Sequence, residues 1–282
     1  MATLGNSYPG IGRCIYCGRN DGPLTREHII PYALGGNLVI QQASCEACST
    51  VTSAVERQCA RGFFSDLRAH LNLSSRKKKE RPTELPYIAV TPKGEQRFLV
   101  PIVNHPYRFK TLMLEEATLL QGRAPSQETH ARVVTINFQQ DYKRRLAIQQ
   151  HSQHVEEVVF DYLALAGMVA KIGHAAAVAI AGADAFEPAL IGVILGTEAY
   201  AHYVGSAEET LGKQSPPEQL HRLRVFTISI GGVWYVVCDV QLFSFLGAPA
   251  YRVVAGRQLK SLPHLASYVP PEGAASFDAS HQ

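Results

Sequence analysis

The chain is sparing with charge. Only 18% of its 282 residues are charged and the formal net charge is +3, which together with 46% hydrophobic residues excludes a disordered polyelectrolyte and points to a folded core. Internal repeats and low-complexity segments are absent, which leaves a globular chain long for one domain and comfortable for two. The N-terminal stretch MATLGNSYPGIGR has no charged segment followed by an apolar run, so no secretory leader is expected. One run alone, Tyr162 to Ala181, is long and apolar enough to cross a membrane. It carries Lys171 and His174, and a charge near the middle of a lone span is costly. The run is therefore expected to be a buried core helix, with no membrane partner and a cytoplasmic location. Cysteine is scarce at six residues, and in a reducing compartment clustered cysteines bind metal more often than they form disulfides.

What charge there is lies unevenly. Residues 1–82 hold 11 Lys/Arg against 6 Asp/Glu, while residues 83–282 hold 16 against 18. A polyanion partner is expected for the first part and not for the second. The excess gathers in Arg57, Arg61, Arg76, Lys77, Lys78, Lys79 and Arg81, just before Pro82. These seven are candidate phosphate contacts, weighed against the simpler reading of a solvated linker. Pro82 marks a plausible boundary between a unit at 1–82 and a second at 83–282.

In the first unit, Leu24–Ile30 and Leu38–Ile40 read as short strands around a Gly35-Gly36 turn. A helix starts near Ser44 and runs to about Arg61, and a second helical piece covers Phe63–Leu73. The second unit reads as α+β with a mostly antiparallel sheet. Its strand candidates are Tyr87–Val90, Arg97–Val103, Phe109–Leu114, Arg132–Phe138, Tyr200–Gly205 and Tyr251–Ala255. The clearest hairpin is Arg222–Ile230 with Val233–Phe243 around Gly231-Gly232, a primed-turn signature. Asp141–Gln150 reads as a basic amphipathic segment and Val155–Ala181 as a long buried helix. Phe186–Leu195 is expected to be a further helix, and the last 20 residues a loose tail.

The chemistry concentrates between Cys14 and Glu56. Two Cys-x-x-Cys clips, Cys14/Cys17 and Cys45/Cys48, match a closed four-thiolate zinc shell with no open position, so the zinc is expected to be structural. Cys59 and Cys238 lie outside the pattern and read as buried free thiols. Between the clips stands Glu27-His28. A histidine suits proton abstraction near neutral pH, and a hard carboxylate suits magnesium. Adjacent strand residues point to opposite faces, so a bend near Pro31 would be needed for both to face one substrate. Ser49, Ser53 and Glu56 share a helix face.

This order of CxxC, Glu-His-Ile-Ile-Pro, Gly-Gly and CxxC closely resembles the HNH endonuclease family, the ββα-metal nucleases, over roughly residues 12–60. The whole chain also looks like bacterial proteins of that type. The resemblance implies a zinc-stabilised ββα module. His28 would be the general base for attack of water on a phosphodiester, and Asn37 the residue that pins the loop. A catalytic divalent ion, usually magnesium, would be held by Glu27 with a helix residue. The family places His or Asn just after the last cysteine. Here that position is Ser49, so Glu56 is expected to replace or supplement it. DNA is the implied partner, with RNA left open, and a homodimer through residues 83–282 is one way to cut both strands. The rival reading is a zinc-knuckle nucleic-acid-binding or regulatory protein without catalysis. Lys171 and His174 read as satisfied core groups or the wall of a ligand pocket. His151 and His154 lack a third metal ligand, and Trp234, Tyr235 and Tyr251 read as packing residues.

Overall fold

The computed structural model describes residues 6–75, 81–91, 93–106, 108–126, 129–137, 153–154 and 161–268. Arg76 to Lys79, the basic segment 141–150 and His151 lie outside them, as does the start of the expected long helix at 155–160.

The first layer is a small sheet of β1 (Ser7–Tyr8), β2 (Leu24–His28) and β3 (Val39–Cys45), in the order β1-β3-β2, followed by α1 (Glu46–Arg61) and α2 (Ser65–His70). This is the expected strand, strand, helix order. β2 and β3 pair antiparallel with His28 opposite Val39 and Glu27 opposite Ile40, and the register shifts between Thr25 and Glu27. Gln42, in the extra length of β3, has φ +46. The Gly35-Gly36 turn needs both glycines for different reasons. Gly35 has φ +89, and a Cβ on Gly36 would lie 2.0 Å from the Ile30 carbonyl oxygen.

Next come the hairpin β4 (Glu84–Thr91)/β5 (Gly94–Pro101), the pair β6 (Arg108–Leu114)/β7 (Ala131–Asn137) and the short β8 (Gln153–His154) against β4. Helix α3 (Tyr162–Ala181) is capped by Asp161, whose carboxylate accepts from the Ala164 amide at 2.8 Å. β9 (Phe186–Pro188), α4 (Ile191–Leu195) and β10 (Val204–Ala207) lead to the long strands β11 (His221–Ile230), β12 (Val233–Leu242) and β13 (Ala250–Gln258), with β14 (Ser267–Tyr268) last. The main sheet runs β10-β13-β12-β11-β14, with β9 on β13. Only its β11–β14 contact is parallel. Gly231 and Gly232 both have positive φ, +57 and +79, as a primed hairpin turn requires.

Two local expectations are corrected. Phe186–Leu195 is not one helix: Phe186, Glu187 and Pro188 form a strand on Gln258, Arg257 and Gly256, and only Ile191–Leu195 is helical. The edge of the sheet takes these residues before helical propensity can. Within the expected C-terminal tail, Ser267 and Tyr268 pair with Thr227 and Ile228, and residues 269–282 lie outside the described residues.

Helix α3 is apolar on most faces and 16 of its 20 residues are buried. It lies against β12 and β13 on one side and α1 on the other. Small residues set those approaches: a Cβ on Gly173 would press Val253 at 2.7 Å, and Gly167 faces Val55 of α1. One continuous hydrophobic cluster takes in Cys14, Ile29, Leu34 and Phe64 from the first unit and Leu165, Val236 and Val253 from the second. The composition changes at Pro82, but the core runs through from one unit to the other.

Candidate functional site

The zinc knuckle is built from backbone outward. The Cys14 amide donates to the Arg19 carbonyl at 2.7 Å, the Gly18 amide to Cys14 at 3.0 Å, and Gly18 closes the turn with φ +73. The second clip uses the start of α1, where Cys45 is the N-cap and Cys48 lies in the first turn. The sulfurs of Cys14, Cys17, Cys45 and Cys48 all lie within 4.8 Å of one another, and Cys17 and Cys45 sulfurs are 3.6 Å apart. A tetrahedral zinc with Zn–S near 2.3 Å requires sulfurs about 3.8 Å apart, so the four fit that ion. The Cys48 amide, at the helix terminus, holds the Cys45 thiol down at about 7, while burial raises the Cys48 thiol beside it. Cys59 and Cys238 are buried away from this group, as expected, and burial pushes both thiols up, Cys59 to about 12.

From the knuckle, β2 carries Arg26, Glu27 and His28. Alternation separates them: Arg26 is exposed, Glu27 buried, His28 half-buried. β2 ends at His28, yet Glu27 and His28 remain on opposite faces.

On the outward face, His28 opens into a cleft of about 580 Å³ whose walls include Arg26, Tyr32, Gly36, Asn37 and Val39. The Tyr32 ring lies 5.8 Å from the imidazole, centroid to centroid. The Gly-Gly turn brings Asn37 to the wall opposite the strand. Among the described residues, the side chains lining the cleft include one cation, Arg26, and no carboxylate. Arg26 was not singled out from the sequence, although its place two residues before His28 signals a shared strand face.

On the inward face, Glu27 meets the long helix. Lys171 Nζ lies 2.6 Å from Glu27 Oε1 and 2.8 Å from Glu56 Oε1, with 2% of the lysine side chain exposed. It also donates to the carbonyls of His28 and, at 3.4 Å, Ile29. Burial alone would lower the lysine pKa; the two carboxylates outweigh it and hold it above its ordinary value. The Tyr16 hydroxyl is buried nearby, and burial with the Glu27 and Glu56 charges raises its pKa well above normal. Glu27 and Glu56 are thus brought together, as a shared metal site would need, but around an ammonium. Ser49 is half-buried and its hydroxyl donates to the Glu46 carbonyl at 3.0 Å.

His174, one turn further along α3, donates from Nε2 to the Ile15 carbonyl of the knuckle at 2.8 Å. His221 of β11 does the same to Leu34 at 2.8 Å, and its Nδ1 accepts from the Phe243 amide. Burial holds both imidazoles neutral, with pKa values lowered to about 4. Lys171 is committed to the carboxylates behind β2, while His174 also lines a cleft of about 480 Å³ with Arg13, Tyr16, Asp184, Phe186 and Arg257. Lys171 and His174 support strand and knuckle from behind. Of the basic candidates, Arg57 and Arg61 are exposed on α1, while Arg81 bonds Asn72 and, at 2.9 Å, the Leu73 carbonyl.

No curated protein and no solved structure matches the chain. The knuckle, the two strands and α1 nevertheless form a unit that can be compared on its own, and residues 14–63 match the model of the HNH endonuclease family.

Proposed function

We propose that the protein hydrolyses phosphodiester bonds of DNA in the cleft around His28. The observation that supports this most is positional. Within the segment that matches the HNH family, His28 opens into a polar cleft between Arg26 and Asn37. In this reading His28, at the end of β2, takes a proton from the attacking water, a role that suits an imidazole near neutral pH. Arg26 places a guanidinium against the phosphate oxygens, where charge grows in the transition state. Asn37 holds the loop wall, and Tyr32 limits how the imidazole tilts. The zinc keeps the two strands and α1 in register and takes no part in the reaction.

A catalytic divalent ion would supply positive charge to offset that building on the phosphate. The residues expected to hold it do not fit that task as they are arranged. Glu27 and Glu56 are committed to Lys171, and the Ser49 hydroxyl to Glu46. Neutralising the phosphate in the cleft therefore falls to Arg26, and the exposed Arg57 and Arg61 of α1 are left as contacts to flanking phosphates. A homodimer formed through residues 83–282 would let two clefts cut both strands.

The same committed carboxylates favour a second reading, a module that binds nucleic acid without cutting it. Conversion of supercoiled plasmid to open circle, run beside a gel-shift assay and with an RNA substrate in parallel, separates the two. Hydrolysis predicts nicking that His28→Ala abolishes. The binding reading predicts a shifted band and no nicking in any divalent metal.

A further inference from the structure

We propose that Lys171 is the resident cation of the Glu27–Glu56 pair: an ammonium delivered from helix α3 stands where a divalent ion would otherwise sit, and through it positions His28. The positioning half of this rests on the proposed role of His28; the cation half does not.

The oxygens around Lys171 Nζ are of the kind that hard cations take: two carboxylates, Glu27 at 2.6 Å and Glu56 at 2.8 Å, and the carbonyls of His28 and Ile29. They come from β2 with the residue that follows it and from α1, and without a positive charge between them the two carboxylates would repel. An ammonium has three N–H donors and no acceptor. Glu27, Glu56 and the His28 carbonyl use all three, so the group is satisfied. Lys171 cannot simply swing away, because its neighbours on α3, including Met168, Ile172 and Ala175, are buried and apolar. An uncompensated charge among them would be costly. A divalent ion approaching the same carboxylates would have to displace an ammonium already at hydrogen-bonding distance from both.

The consequence for His28 follows from its backbone. Lys171 donates to the His28 carbonyl, with the Ile29 carbonyl a longer contact at 3.4 Å, so the cation fixes the end of β2 from which the imidazole projects into the cleft. Lys171 does not touch the cleft and is a positioning residue. It also ties the module to the long helix of the second unit, 143 residues away in sequence from His28.

The test is manganese binding by the zinc-loaded, full-length protein, read by the free Mn²⁺ spin-resonance signal and by the melting temperature. Wild type is expected to leave the free Mn²⁺ signal unchanged and to melt at the same temperature with or without millimolar Mn²⁺. Lys171→Ala vacates the cage. It is expected to melt lower, to bind one Mn²⁺ and to recover much of the lost melting temperature as Mn²⁺ is added. Adding Glu27→Gln to that variant should remove the binding, while Lys171→Arg should behave as wild type. Where the Ala variant cannot be purified folded, the wild-type titration decides. Wild-type Mn²⁺ binding that Glu27→Gln abolishes overturns the proposal, and so does a Lys171→Ala protein that melts like wild type and ignores Mn²⁺. A wild type that fails to nick DNA but behaves as predicted towards Mn²⁺ removes the hydrolytic reading and leaves the resident cation standing.

Discussion

The two faces of β2 carry opposite kinds of chemistry within adjacent residues. Inward, Glu27 belongs to a cluster in which each charge has a partner, with Glu27 and Lys171 buried and Glu56 partly exposed at its edge. Outward, His28 stands in an open cleft with Arg26 and Asn37. In sequence Glu-His looks like one dyad. The pleat divides it into a buried supporting residue and a half-buried one that faces the cleft, and a bend at Pro31 does not reunite them. A paired cluster of charges resists change and punishes the loss of one member. An open cleft tolerates substitution and loses chemistry instead.

The largest effect should come from what supports both faces. Cys45→Ser breaks the zinc shell, and binding of a structural zinc is largely folding free energy, about 10–16 kcal/mol in small zinc-finger peptides. Loss of bound zinc and of a cooperative thermal transition is expected; a variant that keeps its wild-type melt would show that the four sulfurs hold nothing structural. Next come the two faces themselves. Glu27→Gln strips one partner from a buried ion cluster and should cost about 3–5 kcal/mol in urea unfolding. His28→Ala should cost under about 1 kcal/mol while cutting nicking by about 10²–10⁴-fold. Equal stability losses at the two positions would erase the distinction.

Acid should loosen the supports before the cleft. His174 and His221 are neutral in the fold, with pKa values near 4 against 6.5 when exposed. Between those limits the unfolded chain binds protons that the folded chain does not, so stability is whole above pH 6.5 and falls as pH drops towards 4. Urea midpoints at pH 7, 6 and 5 should decline in that order, and His174→Gln should flatten the decline. A slope unaltered by the substitution would assign the acid sensitivity elsewhere. The smallest effect is at Arg26, whose replacement by Ala should leave folding intact and lower the salt dependence of DNA binding by about one phosphate contact. An unchanged slope would place the phosphate away from this wall.

The parts legible in the sequence are those set by local chemistry. Paired CxxC clips, the Gly35-Gly36 turn and the Gly231-Gly232 hairpin each need particular residues at a fixed spacing, and each is found where that spacing puts it. The role of Lys171 was not legible, because its partners lie on β2 and α1 and only the fold joins them. What the sequence did offer was a lysine inside an apolar helix, which must find a counter-charge if buried. Phe186–Pro188 shows the same limit, since pairing with β13 outweighs a helical pattern. Arg26 was within reach: two residues from His28, strand alternation alone puts it on the same face.

The most direct measurement is plasmid nicking by zinc-loaded wild type and His28→Ala at matched zinc content and matched melting temperature. Open circle from wild type and none from the variant is the predicted result. A variant that cuts at the wild-type rate would contradict the assignment of the chemistry to the outward face of β2.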